Sequence, residues 1–192
     1  SVVQASGAAA CVSELLSPAR GTLISEKKFP EEISASVDGL RIGVFVCHCG
    51  KNIGGVVDVP EVRKYASELP DVVMSTENLY SCSEDAQSII AGAIVREKLN
   101  RVVIAACTPR THEPLFQQTI REAGLNRCLI EMVNIRDQCS WVHSQEKEEA
   151  IKKAKDLIRM AVAKARLIQP LDEHIIDVVP RGLVIGGGLA GM

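Results

Sequence analysis

The feature that most constrains the fold is an alternation, repeated along residues 41–136, of short β-branched runs with segments of helical periodicity. The first run, RIGVFVC (41–47), is apolar on both faces, which is typical of a strand inside a parallel sheet. Further strands are predicted at 72–80, 101–107 and 127–135. Strands that alternate with helices build a parallel sheet through right-handed crossovers. We therefore expect an α/β protein with an open parallel sheet of about four strands and flanking helices.

The segments between these strands carry the signals of helices. Pro60 suits the first turn of a helix, and residues 83–99 are acidic in their first turn and basic in their last. Helices are predicted at 59–70, 83–99 and 113–124. The common strand order 2-1-3-4 places the first strand between the second and the third. The expected sheet is thus of the Rossmann or flavodoxin-like kind, and residues 41–136 form its domain.

The rest of the chain is predicted to divide into three parts. Residues 1–40, rich in Ala and Ser at first, predict a leading helix and a linker. Residues 137–180 predict a long helix, over about 137–168, and a second linker. Its apolar stripe, which a neighbouring domain could cover, comprises Ile151, Ala154, Leu157, Ile158, Ala161, Val162 and Ala165. Residues 181–192 predict the first strand and glycine turn of a truncated second nucleotide-binding domain.

Composition argues against several classes of function. An aromatic fraction of 3% and a net charge of −2 argue against a nucleic-acid binder that stacks bases on aromatic side chains. The sequence has no apolar run long enough for a membrane-spanning helix, so no membrane insertion is expected. Seven cysteines without a secretion signal favour thiols or metal ligands in a reducing, cytoplasmic compartment over disulfides.

Four of the cysteines fall at the carboxyl ends of predicted strands. Cys47 ends the first strand and Cys49 lies two residues beyond it, while Cys82 follows the second strand and Cys107 ends the third. Open parallel sheets bind ligands at this edge, so the four thiols are expected to converge there. Strands about 4.8 Å apart place the start of Cys82 roughly 10 Å from that of Cys107, which suits a cluster better than one zinc ion. Four thiolates are the ligand set of a [4Fe–4S] cluster.

Other interpretations of these thiols remain open. A cysteine that ends a buried strand is often only a small apolar residue, and the spacing matches neither common ferredoxin pattern. The thiols would alternatively close a zinc site in a structural docking module, or Cys47 and Cys49 would form a strained, redox-active disulfide. Cys139, after the fourth strand, is a reserve ligand. The cations expected to offset cluster charge are Lys51, Arg110 and His112.

The last residues contain a glycine motif. Gly186, Gly188 and Gly191 stand in G-x-G-x-x-G register directly after the strand-like GLVI. After a strand this pattern fits the dinucleotide fingerprint, whose glycines let a pyrophosphate approach a helix N-terminus. The helix and the acidic residue that complete the site do not follow in this sequence, so no dinucleotide is expected to bind here. We interpret the chain as a fragment of a larger one.

Over residues 41–192 the chain resembles the amino-terminal region of the heterodisulfide reductase A-type polypeptide family. The matching motifs, in order, are IGVFVCHCG, LYSCS, ACTPRTHEPLF, NIRDQCSWVHS, KAKDLIRMAVAKARL and LVIGGGLAGM. The resemblance implies an iron–sulfur flavoprotein in which this region precedes a thioredoxin-reductase-like FAD domain. It implies the cluster ligands Cys47, Cys49, Cys82 and Cys107, and the start of the FAD phosphate site at Gly186, Gly188 and Gly191.

The function that this resemblance implies is electron relay between a [4Fe–4S] cluster and the FAD of the adjoining domain. The partners are the other subunits of a cytosolic complex, in some members one that carries out electron bifurcation. The fragment belongs to an oxidoreductase but is expected to have no turnover and no catalytic acid, base or nucleophile of its own. The stretch QASGAAACVSELL (4–16) resembles the closing helix of a flavin-disulfide-reductase domain, which suggests tandem flavin units in the parent chain.

Overall fold

The chain forms two compact units, Ser1–Glu31 and Glu32–Met192. The computed structural model describes residues 1–22, 24, 27–33 and 39–189. The first unit contains helix α1 (Val2–Leu15) and a 3-10 turn at Ser17–Ala19, and neither element has a buried residue. Helix α1 occupies the place predicted for the leading helix.

The second unit is built on four parallel strands. They are β1 (Ile42–Cys47), β2 (Val72–Asn78), β3 (Arg101–Ala106) and β4 (Ile130–Asn134). Their order in the sheet is β2-β1-β3-β4, with every pairing parallel. The central strands β1 and β3 are buried at every position, whereas the edge strand β2 is mostly half-buried. The predicted α/β class and strand order are confirmed.

Five helices and one π-helical turn complete the unit. They are α2 (Lys51–Gly54), α3 (Val59–Ser67), α4 (Glu84–Arg96), α5 (Pro109–Glu122), the π-helical turn Arg136–Ser140, and α6 (Lys147–Ala165). Side-chain caps fix two of the starts, because Asp58 accepts the N–H of Glu61 at 2.9 Å and Ser83 that of Ala86 at 3.3 Å.

Two predicted helix boundaries were wrong. Helix α5 starts at Pro109, not at residue 113, because a proline in the first helical position has no N–H bond to lose. Pro114 consequently lies inside the helix. The long helix predicted over 137–168 is divided into the π-helical turn and α6, with residues 141–146 between them in neither element.

The core consists of two layers, one on each face of the sheet. Alternate residues of β1 point to opposite faces, so Val44 and Val46 pack with α3 and α6, while Phe45 packs with α4 and α5. Six residues of α6 are buried: Ala150, Ala154, Ile158, Ala161, Val162 and Ala165. The predicted apolar stripe therefore packs on the sheet of its own unit, with Ile151 and Leu157 partly buried at its margin.

Charged side chains secure the edge of the sheet where the strands begin. Arg101 is only 4% exposed and donates from Nε and Nη2 to the carbonyl of Ile168, at 3.1 and 2.7 Å. Arg41 donates twice to the carbonyl of Glu97, at 3.0 and 2.9 Å. Arg166 pairs with Asp71 at 2.6 Å. These contacts tie the ends of α4 and α6 to the amino-terminal edge and leave the carboxyl edge to other residues.

After α6 the chain runs without helix or strand to residue 189. The segment predicted as a strand, residues 183–185, is exposed and unpaired. Gly186 has φ of +106° and Gly188 is exposed, while Gly191 lies outside the described residues. Among the helices of the described part, none has both the length and the apolar character needed to cross a membrane.

Candidate functional site

The carboxyl edge of the sheet begins with a tight turn after β1. Cys49 has φ of +46° and Gly50 has φ of +56°, so two successive residues adopt left-handed backbone conformations. The N–H of His48 donates to the carbonyl of Asn78 at 2.8 Å, and that of Gly50 to Leu79 at 3.4 Å. The loop after β1 therefore follows the loop after β2, which leads to the second cysteine position. A left-handed non-glycine residue is uncommon and concentrates at functional sites.

The thiol of Cys47 lies at the centre of these two loops. It is buried, at 4% exposure, and its sulfur accepts the backbone N–H groups of Cys49 and Ser81, each at 3.3 Å. The sulfur also lies 3.9 Å from the carbonyl oxygen of Leu79. Two amides directed at one sulfur stabilise a thiolate or a metal-bound sulfur, and in iron–sulfur proteins such bonds adjust the reduction potential.

The thiol of Cys49 contacts a cation from the other side of the sheet edge. Nη1 of Arg136 donates to its sulfur at 3.6 Å. The guanidinium also lies over the ring of Trp141, 4.8 Å from the ring centre, and its Nε is 3.9 Å from Oδ1 of Asp137. Partial burial lowers the pKa of Arg136, but the bond to Cys49 and the charge of Cys107 outweigh it, so the pKa is raised.

Cys82 and Cys107 complete the set. Cys82 is exposed in the turn before α4, and Cys107 is buried directly after β3. Partial burial of its thiol raises the pKa of Cys82, and the nearby charges of Cys47 and Cys49 raise it further. Burial also raises the pKa of Cys107, against the lowering effect of Arg136. The four thiols therefore influence one another across the same edge of the sheet.

The described residues include no group of three His, Cys, Asp or Glu side chains arranged to hold a metal ion. A closed zinc site would need its ligands to surround the ion with Zn–S distances of about 2.3 Å. The structure thus brings the four predicted cysteines to one edge without forming a preassembled site for a single ion.

Unpaired polar atoms surround these thiols. Within the described part of the chain, buried side-chain atoms without a hydrogen-bond partner are Ser75 Oγ, Asn78 Oδ1, Ser81 Oγ, Arg136 Nε and Asp137 Oδ1. Buried polar groups normally have partners, so this concentration is unusual. The hydroxyl of Ser81 and Nε of Arg136 are donors next to residues that contact the cysteine sulfurs. The inorganic sulfides of a cluster are acceptors, so these residues fit a four-iron cluster in chemistry.

Arg136 was missed by sequence reasoning, which named Lys51, Arg110 and His112 as the compensating cations. Lys51 and Arg110 are exposed, and His112 is half-buried. The signal that points to Arg136 is its position directly after β4, at the same carboxyl edge as the cysteines. Because it follows the outermost strand, only the side-chain direction brings it to Cys49.

The remaining cysteines lie elsewhere. The reserve ligand Cys139 is fully buried in the layer under α6, and its thiol donates to the carbonyl of Ala150 at 3.1 Å. Burial raises the pKa of that thiol to about 11. Cys128 is half-buried in the turn before β4, and Cys11 is exposed on α1. Neither is placed with the four cysteines of the sheet edge.

Fold and site together define a class of protein: a doubly wound α/β domain with a thiol-rich carboxyl edge. A scan against models of known protein families finds no match. The chain is 53% identical over 152 residues to a protein of Archaeoglobus profundus named for its likeness to the A-type polypeptide of heterodisulfide reductase, covering 79% of this chain and 22% of that protein. It is 54% identical over 162 residues to the A-type polypeptide of the H(2):CoB-CoM heterodisulfide,ferredoxin reductase of Methanothermobacter thermautotrophicus, covering 84% and 25%.

A third relative is an iron–sulfur A-type polypeptide of the CoB–CoM heterodisulfide reductase of Methanopyrus kandleri, 55% identical over 152 residues, with 79% of this chain and 23% of that protein covered. Over about four fifths of its length, the chain is thus homologous to the heterodisulfide reductase A-type polypeptide family, and the resemblance predicted from the sequence is confirmed. The chain spans about a quarter of the length of these curated relatives.

Proposed function

We propose that this chain is an electron-transfer region of a heterodisulfide-reductase-like oxidoreductase, with a [4Fe–4S] cluster bound by Cys47, Cys49, Cys82 and Cys107. The observation that carries the proposal is the environment of Cys47, whose sulfur accepts two backbone N–H groups beside three further thiols. The name of the Methanopyrus kandleri relative, which describes it as an iron–sulfur protein, supports the proposal.

When bound, such a cluster accepts and donates single electrons. The chain's own residues bind it and set its surroundings. The backbone amides of Cys49 and Ser81 stabilise negative charge on the sulfur of Cys47, and the hydroxyl of Ser81 is a further free donor. Burial of Cys47 and Cys107 excludes water from two of the four sulfurs, while exposed Cys82 leaves one side accessible to an electron-transfer partner.

The proposal extends to the longer protein. Gly186, Gly188 and Gly191 would begin the phosphate site of an adjoining FAD domain, to which the cluster passes electrons. The partners would be other subunits of a heterodisulfide-reductase-like complex, including complexes that carry out flavin-based bifurcation. A reducing cytoplasm, in which the thiols stay unoxidised, is the proposed compartment. This region alone would have no turnover.

Metal analysis tests the proposal. Iron, acid-labile sulfide and zinc are counted per chain after anaerobic reconstitution of the wild type and of the Cys47→Ser, Cys49→Ser, Cys82→Ser and Cys107→Ser variants. We expect about four iron and four sulfide in the wild type and a large loss in each variant. Cys11→Ser, at an exposed cysteine of the other unit, is the control and should keep the wild-type content.

The same measurement separates the competing function. One tightly held zinc, with no iron after reconstitution, would replace electron transfer with a structural zinc module. Wild-type iron content in all four variants would remove these cysteines as ligands.

A further inference from the structure

The π-helical turn after β4 holds its first residue at a fixed place on the sheet edge. Backbone N–H groups of Ser140 and Trp141 donate five residues back, to Ile135 at 3.2 Å and Arg136 at 3.0 Å. The side chain of Ser140 donates to the carbonyl of Asn52 in α2 at 2.7 Å. Because α2 closely follows Cys49, this bond links the π-helical turn to the turn that carries that cysteine. Short π-helical turns occur frequently at functional sites.

The side chain of Arg136 is restrained from three directions. Nη1 donates to the sulfur of Cys49, the guanidinium carbon lies 4.8 Å from the centre of the Trp141 ring, and Asp137 lies on the Nε side. The side chain is 23% exposed, so its charge is partly shielded from water. A guanidinium stacked on an aromatic ring keeps its orientation and its charge. Its Nε remains buried without a hydrogen-bond partner.

A cation in this position acts differently on the two oxidation states of a cluster. Reduction adds one negative charge, which the nearby positive charge stabilises more than it stabilises the oxidised form. The interaction is strongest where the site is least hydrated. Removing the cation therefore disfavours reduction and lowers the reduction potential.

We propose that Arg136 is a positioning residue that raises the reduction potential of the cluster through its charged hydrogen bond to the sulfur of Cys49. The π-helical turn and Trp141 hold the guanidinium at that sulfur. The inference rests on the proposed function, since it requires a cluster on the four cysteines. It assigns to this chain the residue that adjusts how readily the cluster takes an electron.

The test is a redox titration of the reconstituted protein, followed by the absorbance or electron paramagnetic resonance of the cluster. Arg136→Gln removes the charge at similar length, Arg136→Lys keeps the charge without the planar fork, and Arg159→Gln removes a half-exposed arginine of α6 that pairs with Asp156. We expect a more negative potential in Arg136→Gln, a smaller shift in Arg136→Lys and none in Arg159→Gln. Iron content and melting temperature are measured on the same samples.

The outcomes separate this inference from the proposed function. An unchanged potential in Arg136→Gln at wild-type iron content overturns the inference alone. A wild type that binds no cluster overturns both. If Arg136→Gln retains too little iron to titrate, iron retention in Arg136→Lys decides: recovery with lysine supports a role for the positive charge at the cluster. Equal loss in both variants shows a merely structural role and overturns the inference.

Discussion

At the scale of single residues, the turn that carries Cys49 depends on Gly50. Its φ of +56° is unfavourable for any residue with a Cβ, and a Cβ there would lie 2.6 Å from the hydroxyl of Tyr80. Gly50→Ala should destabilise the protein by about 1–2 kcal/mol through the backbone alone and lower the iron content after reconstitution. Thermal unfolding and iron analysis measure these effects.

Two further variants separate backbone strain from steric contact at Gly50. Tyr80→Phe removes the hydroxyl, so in combination with Gly50→Ala it should restore only the steric part of the lost stability. Gly92→Ala, where a Cβ meets nothing within 4 Å, is the control and should be neutral or stabilising by about 0.5–1 kcal/mol. Equal melting temperatures for Gly50→Ala and the wild type would show that the turn does not need glycine.

Residue identities at the site were predictable only where topology determines them. Cys47 and Cys107 end buried strands, so the sheet alone brings them to one edge. The left-handed conformation of Cys49 and the contact from Arg136 depend on side-chain and loop geometry that residue spacing does not specify.

At the scale of elements, α6 is joined to the preceding π-helical turn by the thiol of Cys139. This thiol is fully buried and donates to the carbonyl of Ala150 near the start of the helix. Burial raises its pKa from 9.0 to about 11, so the folded state favours the neutral thiol. The stabilisation is therefore fully present below pH 9 and is lost as the pH rises toward 11.

Urea unfolding of the wild type and of Cys139→Ala, near neutral pH and again near pH 11, measures this contribution. The difference in unfolding free energy between the two proteins should shrink at the higher pH, by up to about 3 kcal/mol. The same burial should make Cys139 unreactive toward iodoacetamide until urea unfolds the chain. Parallel pH profiles for the two proteins would contradict the assignment.

The division of the predicted long helix shows where helical periodicity is insufficient. Residues 136–140 have the composition of a helix, but their hydrogen bonds run five residues back, which sequence patterns do not distinguish from four. The start of α5 was more accessible, since Thr108 and Pro109 are a cap and a first-turn proline. The second proline, Pro114, directed the prediction to a later start.

At the scale of the whole second unit, the two edges of the sheet have different tasks. Alternating strands and helices determine the class, the strand order and the edge at which ligands bind, so these were predictable from the sequence. At the opposite edge, the guanidinium of Arg101 is buried and bonded to the carbonyl of Ile168, which anchors the end of α6. Burial lowers its pKa, so the charge is retained against a desolvation cost.

Separation of the two edges predicts separable effects. Arg101→Met leaves the carbonyl of Ile168 without its donors and should lower the free energy of unfolding by about 3 kcal/mol, because bonds to a charged donor are lost. The cluster content and reduction potential should stay at wild-type values, since Arg101 begins β3 while the cysteines lie at or beyond the carboxyl ends of the strands. Arg101→Lys, which keeps the charge without the two-pronged contact, should recover part of the stability. A shifted potential in Arg101→Met at unchanged iron content would instead show that the two edges are coupled through the central strand.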